Sequence, residues 1–170
     1  MRFTVKLKGP LSIFIKPGRK VRGMKRFLVA VDGSEHSKKA VDMAIDMAKK
    51  GHAEIILIHV MEERGVPKGL DPWMKIEGMR SSGDYFEWVC KSDQFLGEAE
   101  ERIKAAHGIK VEHICVNGDP ADEILRAAES YNVDTIVMGS RGLGRFSRSF
   151  MGSVSTKVCN HANSTCVTVK

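Results

Sequence analysis

A chain of 170 residues, 42% hydrophobic and 28% charged, fits one globular domain that buries roughly two-thirds of its unfolded surface on folding. No apolar run approaches the ~18 residues that a membrane-crossing helix needs. The net charge of +6 suggests a basic nucleic-acid binder until it is divided along the chain: residues 1–26 hold nine Lys or Arg and no acid, and the remainder holds 18 basic and 21 acidic residues, so the body of the protein is mildly acidic.

The basic head, residues 1–23, is set apart from a domain spanning 24–170. Phe3, Val5 and Leu7, then Leu11, Ile13 and Ile15, alternate with period two around Gly9-Pro10, which reads as a short hairpin or an added edge strand. Its apolar core LSIFI is too short and too closely flanked by lysines for a secretory signal, and Met24 is itself a candidate start. Three readings stay open: a disordered or mis-annotated extension, a hairpin packing on the domain or a partner, or an anion-binding arm contacting nucleic acid or membrane.

From residue 26 strand patterns alternate with helix patterns. RFLVAVD is a first strand ending at Asp32, and Ser34 caps a helix whose Ala40, Val41, Ala44, Ile45 and Ala48 recur at helical spacing until Gly51 stops it. AEIILIHV is a second strand, apolar enough for burial on both faces. Residues 61–82, rich in Gly and Pro, read as a loop or lid. Beyond them Phe86, Val89, Leu96, Ile103 and Ala106 keep helical spacing to Gly108, with Glu98/Arg102 and Glu100/Lys104 as exposed pairs. Trp73, Met74, Tyr85 and Trp88 are read as packing this helix on the sheet in preference to covering a ligand. KVEHICV is a third strand. Asp119 is an N-cap, with Pro120 at the first helical position and Asp122 and Glu123 at the positive end of the helix. VDTIVM, SVSTKVCNHA and TCVTVK complete strand, helix and strand. Such alternation argues for an α/β doubly wound parallel sheet of five strands in one domain, with ligands at the carboxyl ends where strand order switches.

The fourth strand runs directly into GSRGLGRFSRSFMGS, in which Gly139, Gly142 and Gly152-Ser153 are spaced Gly-x2-Gly-x9-Gly-Ser. Glycines after a buried strand let the backbone turn and its N–H groups approach phosphate oxygens, and Gly152-Ser153 opens a helix with unpaired N–H groups. A Walker A loop is excluded because no Gly-Lys pair exists. A dinucleotide fingerprint is excluded because Ser147 falls where its third glycine belongs and no Asp or Glu follows Asp134. The same stretch carries Arg141, Arg145, Arg148, Lys157 and Lys170, an electropositive end suited to polyphosphate. Cys90, Cys115, Cys159 and Cys166 form no CxxC and no metal-ligand pattern with the six histidines, so they read as reduced thiols of a cytoplasmic protein. His36, His59 and His161 stand in no nucleophile motif, and no catalytic residue is assigned.

With that spacing the chain resembles the universal stress protein family, in its nucleotide-binding branch. The resemblance covers about residues 25–170, through KRFLVAVDGSEHS, ILIHV, GDPADEI and the glycine loop. It implies the strand order 3-2-1-4-5, a Rossmann-like (adenine nucleotide alpha hydrolase-like) sheet with helices on both faces. It also implies an ATP or other adenine-nucleotide site. Ala30, Val31 and Val60 would border adenine. Asp32 would contact ribose or a Mg or Mn ion, though an N-cap role for Asp32 stays open. Met138, Gly139, Arg141 and Gly142 would wrap ribose and phosphate, with Gly152, Ser153, Val154 and Ser155 presenting N–H and hydroxyl groups to the terminal phosphates. Three or four charged hydrogen bonds at roughly 1.5–3 kcal/mol each suffice for micromolar affinity.

The function expected is therefore an ATP-binding stress-response module without strong catalysis. Slow ATP hydrolysis or phosphotransfer is the first alternative, with Asp32 the only obvious carboxylate. A nucleotide-free interaction module is the second. The resemblance further implies a homodimer through the edge strand TCVTVK, although Asn163-Ser164-Thr165 stands where the family usually has proline.

Overall fold

The apolar runs become five parallel strands in a computed structural model that describes residues 25–61, 83–142 and 151–170, the side chains of 83–93 excepted. The strands are β1 (Lys25–Ala30), β2 (Ala53–Met61), β3 (Val111–Asn117), β4 (Thr135–Gly139) and β5 (Thr165–Val169). Their order is β3-β2-β1-β4-β5, with Val29 in register with both Leu57 and Val137 at the centre. The basic head, most of the 61–82 loop, the side chains of Tyr85 and Trp88, and Arg145 and Arg148 lie outside the described residues.

Among the described residues four helices cover the sheet: α1 (Glu35–Gly51), α2 (Gly83–Ala105), α3 (Pro120–Ser130) and α4 (Ser153–His161). Alternation along each strand divides the apolar side chains into two cores. Phe27, Val29, Ile55, Leu57 and Val137 meet Val41 and Ala44 of α1 and Leu96 and Ile103 of α2. Leu28, Ile56, Ile58, Ile136 and Met138 meet Ile124 and Ala128 of α3 and Val158 of α4. Many of these side chains are fully buried, each contributing about 1.5–3 kcal/mol of hydrophobic stabilisation.

Helix ends follow the local chemistry closely. Ser34 Oγ accepts from Ser37 N–H at 3.2 Å, and Asp119 Oδ1 accepts from Asp122 N–H at 3.0 Å with Pro120 at the first helical position. Three readings are corrected. Gly51 is the last residue of α1 and not its stop, because His52 takes the left-handed cap at φ 49° and donates its N–H to Ala48. Met61 belongs to β2 and not to the loop. Arg102 does not pair with Glu98 but reaches across to Asp42 of α1 at 2.7 Å, while Glu100 and Lys104 do pair.

The amino end of the sheet holds a buried ion pair. Arg26 Nε bonds Glu54, Arg26 Nη1 donates to Tyr131 O at 2.7 Å, and Lys110 reaches the other Glu54 oxygen at 3.3 Å. At the edge, Thr165 N–H donates to Asp134 O at 3.2 Å, a bond that proline could not make, and pairing runs unbroken from Thr135↔Thr165 to Gly139↔Val169.

Candidate functional site

The chain leaves β1 into α1 on one face of the sheet and leaves β4 into α4 on the other, so β1 and β4 flank the switch in strand order. Their carboxyl ends bring Asp32 and the glycine loop together. A Cβ placed on Gly142 would lie 2.6 Å from Asp32 Oδ2. Only a residue without a side chain leaves that oxygen open.

Asp32 is not the last residue of β1, which ends at Ala30, nor the cap of α1. Its Oδ1 accepts from Ser34 N–H at 3.0 Å and from Ser34 Oγ at 2.6 Å, while Ser34 performs the capping. The carboxylate is thus oriented through one oxygen, and the other faces Gly142. Gly33, at φ +80°, takes the sharp turn beneath it, where any Cβ would strike the Phe95 ring at 2.5 Å. At Gly139 a Cβ would meet His36 Cβ at 2.8 Å and backbone of His36 and Arg141 at 2.9 Å, so this glycine is fixed by packing of the loop on α1.

Ser140 organises the loop's return. Its N–H donates to Val169 O at 2.7 Å, and its carbonyl accepts from Gly152 N–H at 2.8 Å and from Ser155 Oγ at 3.0 Å. The N–H of Gly152 and the hydroxyl of buried Ser155, both expected at the phosphates, are bonded inside the loop, because closing the loop needs donors for the Ser140 carbonyl. What α4 presents is its first turn: the N–H groups of Ser153, Val154 and Ser155 precede the first intrahelical bond, from Thr156 N–H to Gly152 O at 2.9 Å. That turn contains no acid. Ser140 was missed from sequence; a small polar residue between the two motif glycines was the available signal.

On the β1–β2 side, Val31 follows the end of β1 with both of its peptide groups bonded within the protein. Its N–H donates to Ile58 O at 2.9 Å and its carbonyl accepts from His59 Nδ1 at 2.7 Å, so both peptide groups are engaged. The bond places the His59 proton on Nδ1, and the ring meets Phe95 edge-on at 5.8 Å. Val60 differs. Peptide groups along a parallel strand turn to alternate sides, and Ile58 bonds toward β1 while Met61 O accepts from Gly118 N–H on the β3 side. Val60 therefore directs its N–H and C=O to the β1 side, beyond the point where β1 has ended. Ala30 closes β1 beside it, and Met138 is buried beneath Gly139.

Lys157 turns from the loop to bridge Asp122 at 2.7 Å and Asp119 at 3.2 Å, and these carboxylates hold its ammonium pKa above the usual value. Arg141 is half-buried at the loop entrance. Among the described residues no cluster of three or more His, Cys, Asp or Glu can hold a metal ion by itself. A separate small cleft, lined by Gly33, Lys38, Phe95, Glu98 and Arg102, lies between α1 and α2 and touches none of the motif glycines.

The profile of the Universal stress protein family matches residues 23–170. The chain belongs to the universal stress protein family. Universal stress protein YxiE of Bacillus subtilis is 35% identical over 139 residues, covering 78% of this chain and 90% of its own. Universal stress protein MJ0577 of Methanocaldococcus jannaschii is 30% identical over 154 residues, covering 86% and 94%. The solved structure of MJ0577 superposes with a TM-score of 0.73 over 87% of this chain and 96% of its own, at 27% identity. A universal stress protein solved in complex with cAMP shares the fold, with a TM-score of 0.63, 24% identity and coverage of 86% and 97%.

Proposed function

We propose that this universal stress protein binds ATP, or another adenine nucleotide, in the crevice between the carboxyl ends of β1 and β4, and acts as a nucleotide-dependent regulatory module. The observation that carries the reading is the convergence of the Asp32 carboxylate on Gly142 within a loop that ends at the acid-free first turn of α4. Adenine rests against Val60, whose peptide groups offer one donor and one acceptor. Asp32 Oδ2 takes a ribose hydroxyl. The N–H groups of Ser153, Val154 and Ser155 receive phosphate oxygens, with Arg141 at the entrance. A relative of the same fold holds cAMP, an adenine nucleotide, which agrees with the ligand class.

If Mg or Mn accompanies the nucleotide, the donor set fits a cation held mainly by phosphates with one carboxylate, Asp32, and water. Such an ion would neutralise phosphate charge. The reading is one of holding nucleotide rather than breaking it, because the chain after Asp134 supplies no carboxylate for a general base. β5, paired only with β4 among the described residues, offers its open edge to a second copy, giving a homodimer. The free thiols at Cys115, Cys159 and Cys166 suit a cytoplasmic setting.

Calorimetric titration of the full chain with ATP and magnesium, together with mass spectrometry of nucleotide released on denaturation, tests the proposal. Saturable binding that weakens in Asp32→Ala supports it. Absence of both heat and co-purified nucleotide refutes it, and magnesium-dependent phosphate release lost in Asp32→Ala with binding intact would replace it with slow hydrolysis.

A further inference from the structure

The β1–β2 ladder stops one step short of where its register would carry it, and a side chain stands at the stop. Ile58 of β2 is in register with Ala30, and its carbonyl accepts from Val31 N–H at 2.9 Å. In a parallel ladder a strand bonds to the same neighbour at every second residue, so the next bonds would run from Val60 N–H to Val31 O and from Gly33 N–H to Val60 O. Neither forms among the described residues. The Val31 carbonyl is held instead by His59 Nδ1 at 2.7 Å, from the residue immediately before Val60. Gly33 meanwhile turns at φ +80° against Phe95, whose ring lies 2.5 Å from where a Cβ would stand. The same ring backs His59, edge-on at 5.8 Å and 64°. Side chains alternate along β2, so His59 shares the face of Leu57, under α1 and α2, while Val60 packs with the opposite core.

We propose that His59 is a positioning residue for the base: by occupying the Val31 carbonyl it ends the ladder at Ile58 and keeps the Val60 N–H free as a donor. This role rests on the nucleotide reading, in which Val60 offers one donor and one acceptor, and it identifies the side chain that keeps the donor from being consumed within the sheet. Backbone N–H groups away from water find partners, so an adjacent carbonyl without the imidazole would draw the Val60 N–H into one more ladder bond. Adenine presents a ring nitrogen that accepts beside an exocyclic amine that donates, which matches the open N–H and C=O of one residue. Hypoxanthine carries the reverse pair on the same edge. His59 touches no nucleotide atom in this arrangement and acts through Val31 and Val60.

Two readouts on the full chain test the role. In the ligand-free protein, NMR couplings transmitted across hydrogen bonds should show no correlation between the Val60 N–H and the Val31 carbonyl carbon. His59→Leu should gain that correlation, and His59→Asn, whose amide N–H stands where the Nδ1 proton stood, should lack it. By calorimetry, His59→Leu should weaken ATP binding by about 3- to 10-fold and narrow the preference for ATP over inosine triphosphate, while His59→Asn stays within about twofold of wild type. A loss of packing alone would weaken both nucleotides equally and would not be rescued by asparagine. The role is overturned by a Val60–Val31 correlation in the wild type, by unchanged ATP binding in a folded His59→Leu, or by equal weakening in both variants. If circular dichroism shows His59→Leu unfolded, the wild-type spectrum and His59→Asn decide. A wild type that binds no adenine nucleotide refutes the nucleotide reading, whereas the ending of the ladder by His59 fails separately, on the NMR couplings.

Discussion

Gly142→Ala separates the role of the Asp32–Gly142 contact from the stability of the fold. A Cβ at this position would sit 2.6 Å from Asp32 Oδ2, about 0.8 Å inside the 3.4 Å at which ordinary contact begins, and 3.8 Å from Asp32 Cγ. The backbone there is not left-handed, so alanine brings no conformational strain of its own. Turning the carboxylate relieves the clash, and this disturbs the bonds from Ser34 N–H and Oγ to Oδ1 and withdraws Oδ2 from the crevice. Losing one hydrogen bond to a charged group costs about 1.5–3 kcal/mol, so ATP binding should weaken by about 10- to 150-fold. Unfolding in urea should shift by less than about 1 kcal/mol, because the far end of a side chain gives way and no backbone does. Gly139→Ala is the contrast: its Cβ meets His36 and Arg141 backbone at 2.9 Å, so it should lose about 1–3 kcal/mol of stability. Calorimetry of ATP binding paired with urea unfolding reads both quantities. If Gly142→Ala binds ATP within about twofold of wild type, Asp32 Oδ2 does not contact the nucleotide and the placement of the ribose is wrong.

Ser34→Ala removes both the α1 cap and the group that orients Asp32; urea unfolding should show a loss of about 1 kcal/mol. Glu54→Ala leaves Arg26 buried beside a missing partner and should cost about 3–5 kcal/mol in the same assay, with a double-mutant cycle against Arg26→Met showing strong coupling. Asp119 is held below the usual aspartate value, chiefly by the Asp122 N–H and then by Lys157. A carboxyl lowered in the folded state contributes its full stabilisation above the unfolded value of about 3.9 and loses it as pH falls through the folded value. Asp119→Asn keeps the cap without the charge, so the stability gap between wild type and variant, measured by urea unfolding, should be constant above about pH 5 and shrink below about pH 4.

Local energetics made much of the fold legible in the chain. Near-continuous apolar runs marked the buried strands, the 3.6-residue recurrence in α1 and α3 marked their inward faces, and Ser34, Asp119 and Pro120 marked helix starts, because period and capping act within a few residues. The spacing of Gly139, Gly142 and Gly152 was legible too, and so was the pairing of Asp32 with that loop once the strand order followed from the family resemblance. Which polar groups of the site are already bonded within the protein depends on long-range contacts. That Ser140 O consumes the Gly152 N–H and the Ser155 hydroxyl, that His59 takes the Val31 carbonyl, and that Arg102 leaves Glu98 for Asp42 depend on where crossovers bring distant segments together. The glycine pattern marks the loop; hydrogen-bond satisfaction across the fold settles which of its donors are already occupied.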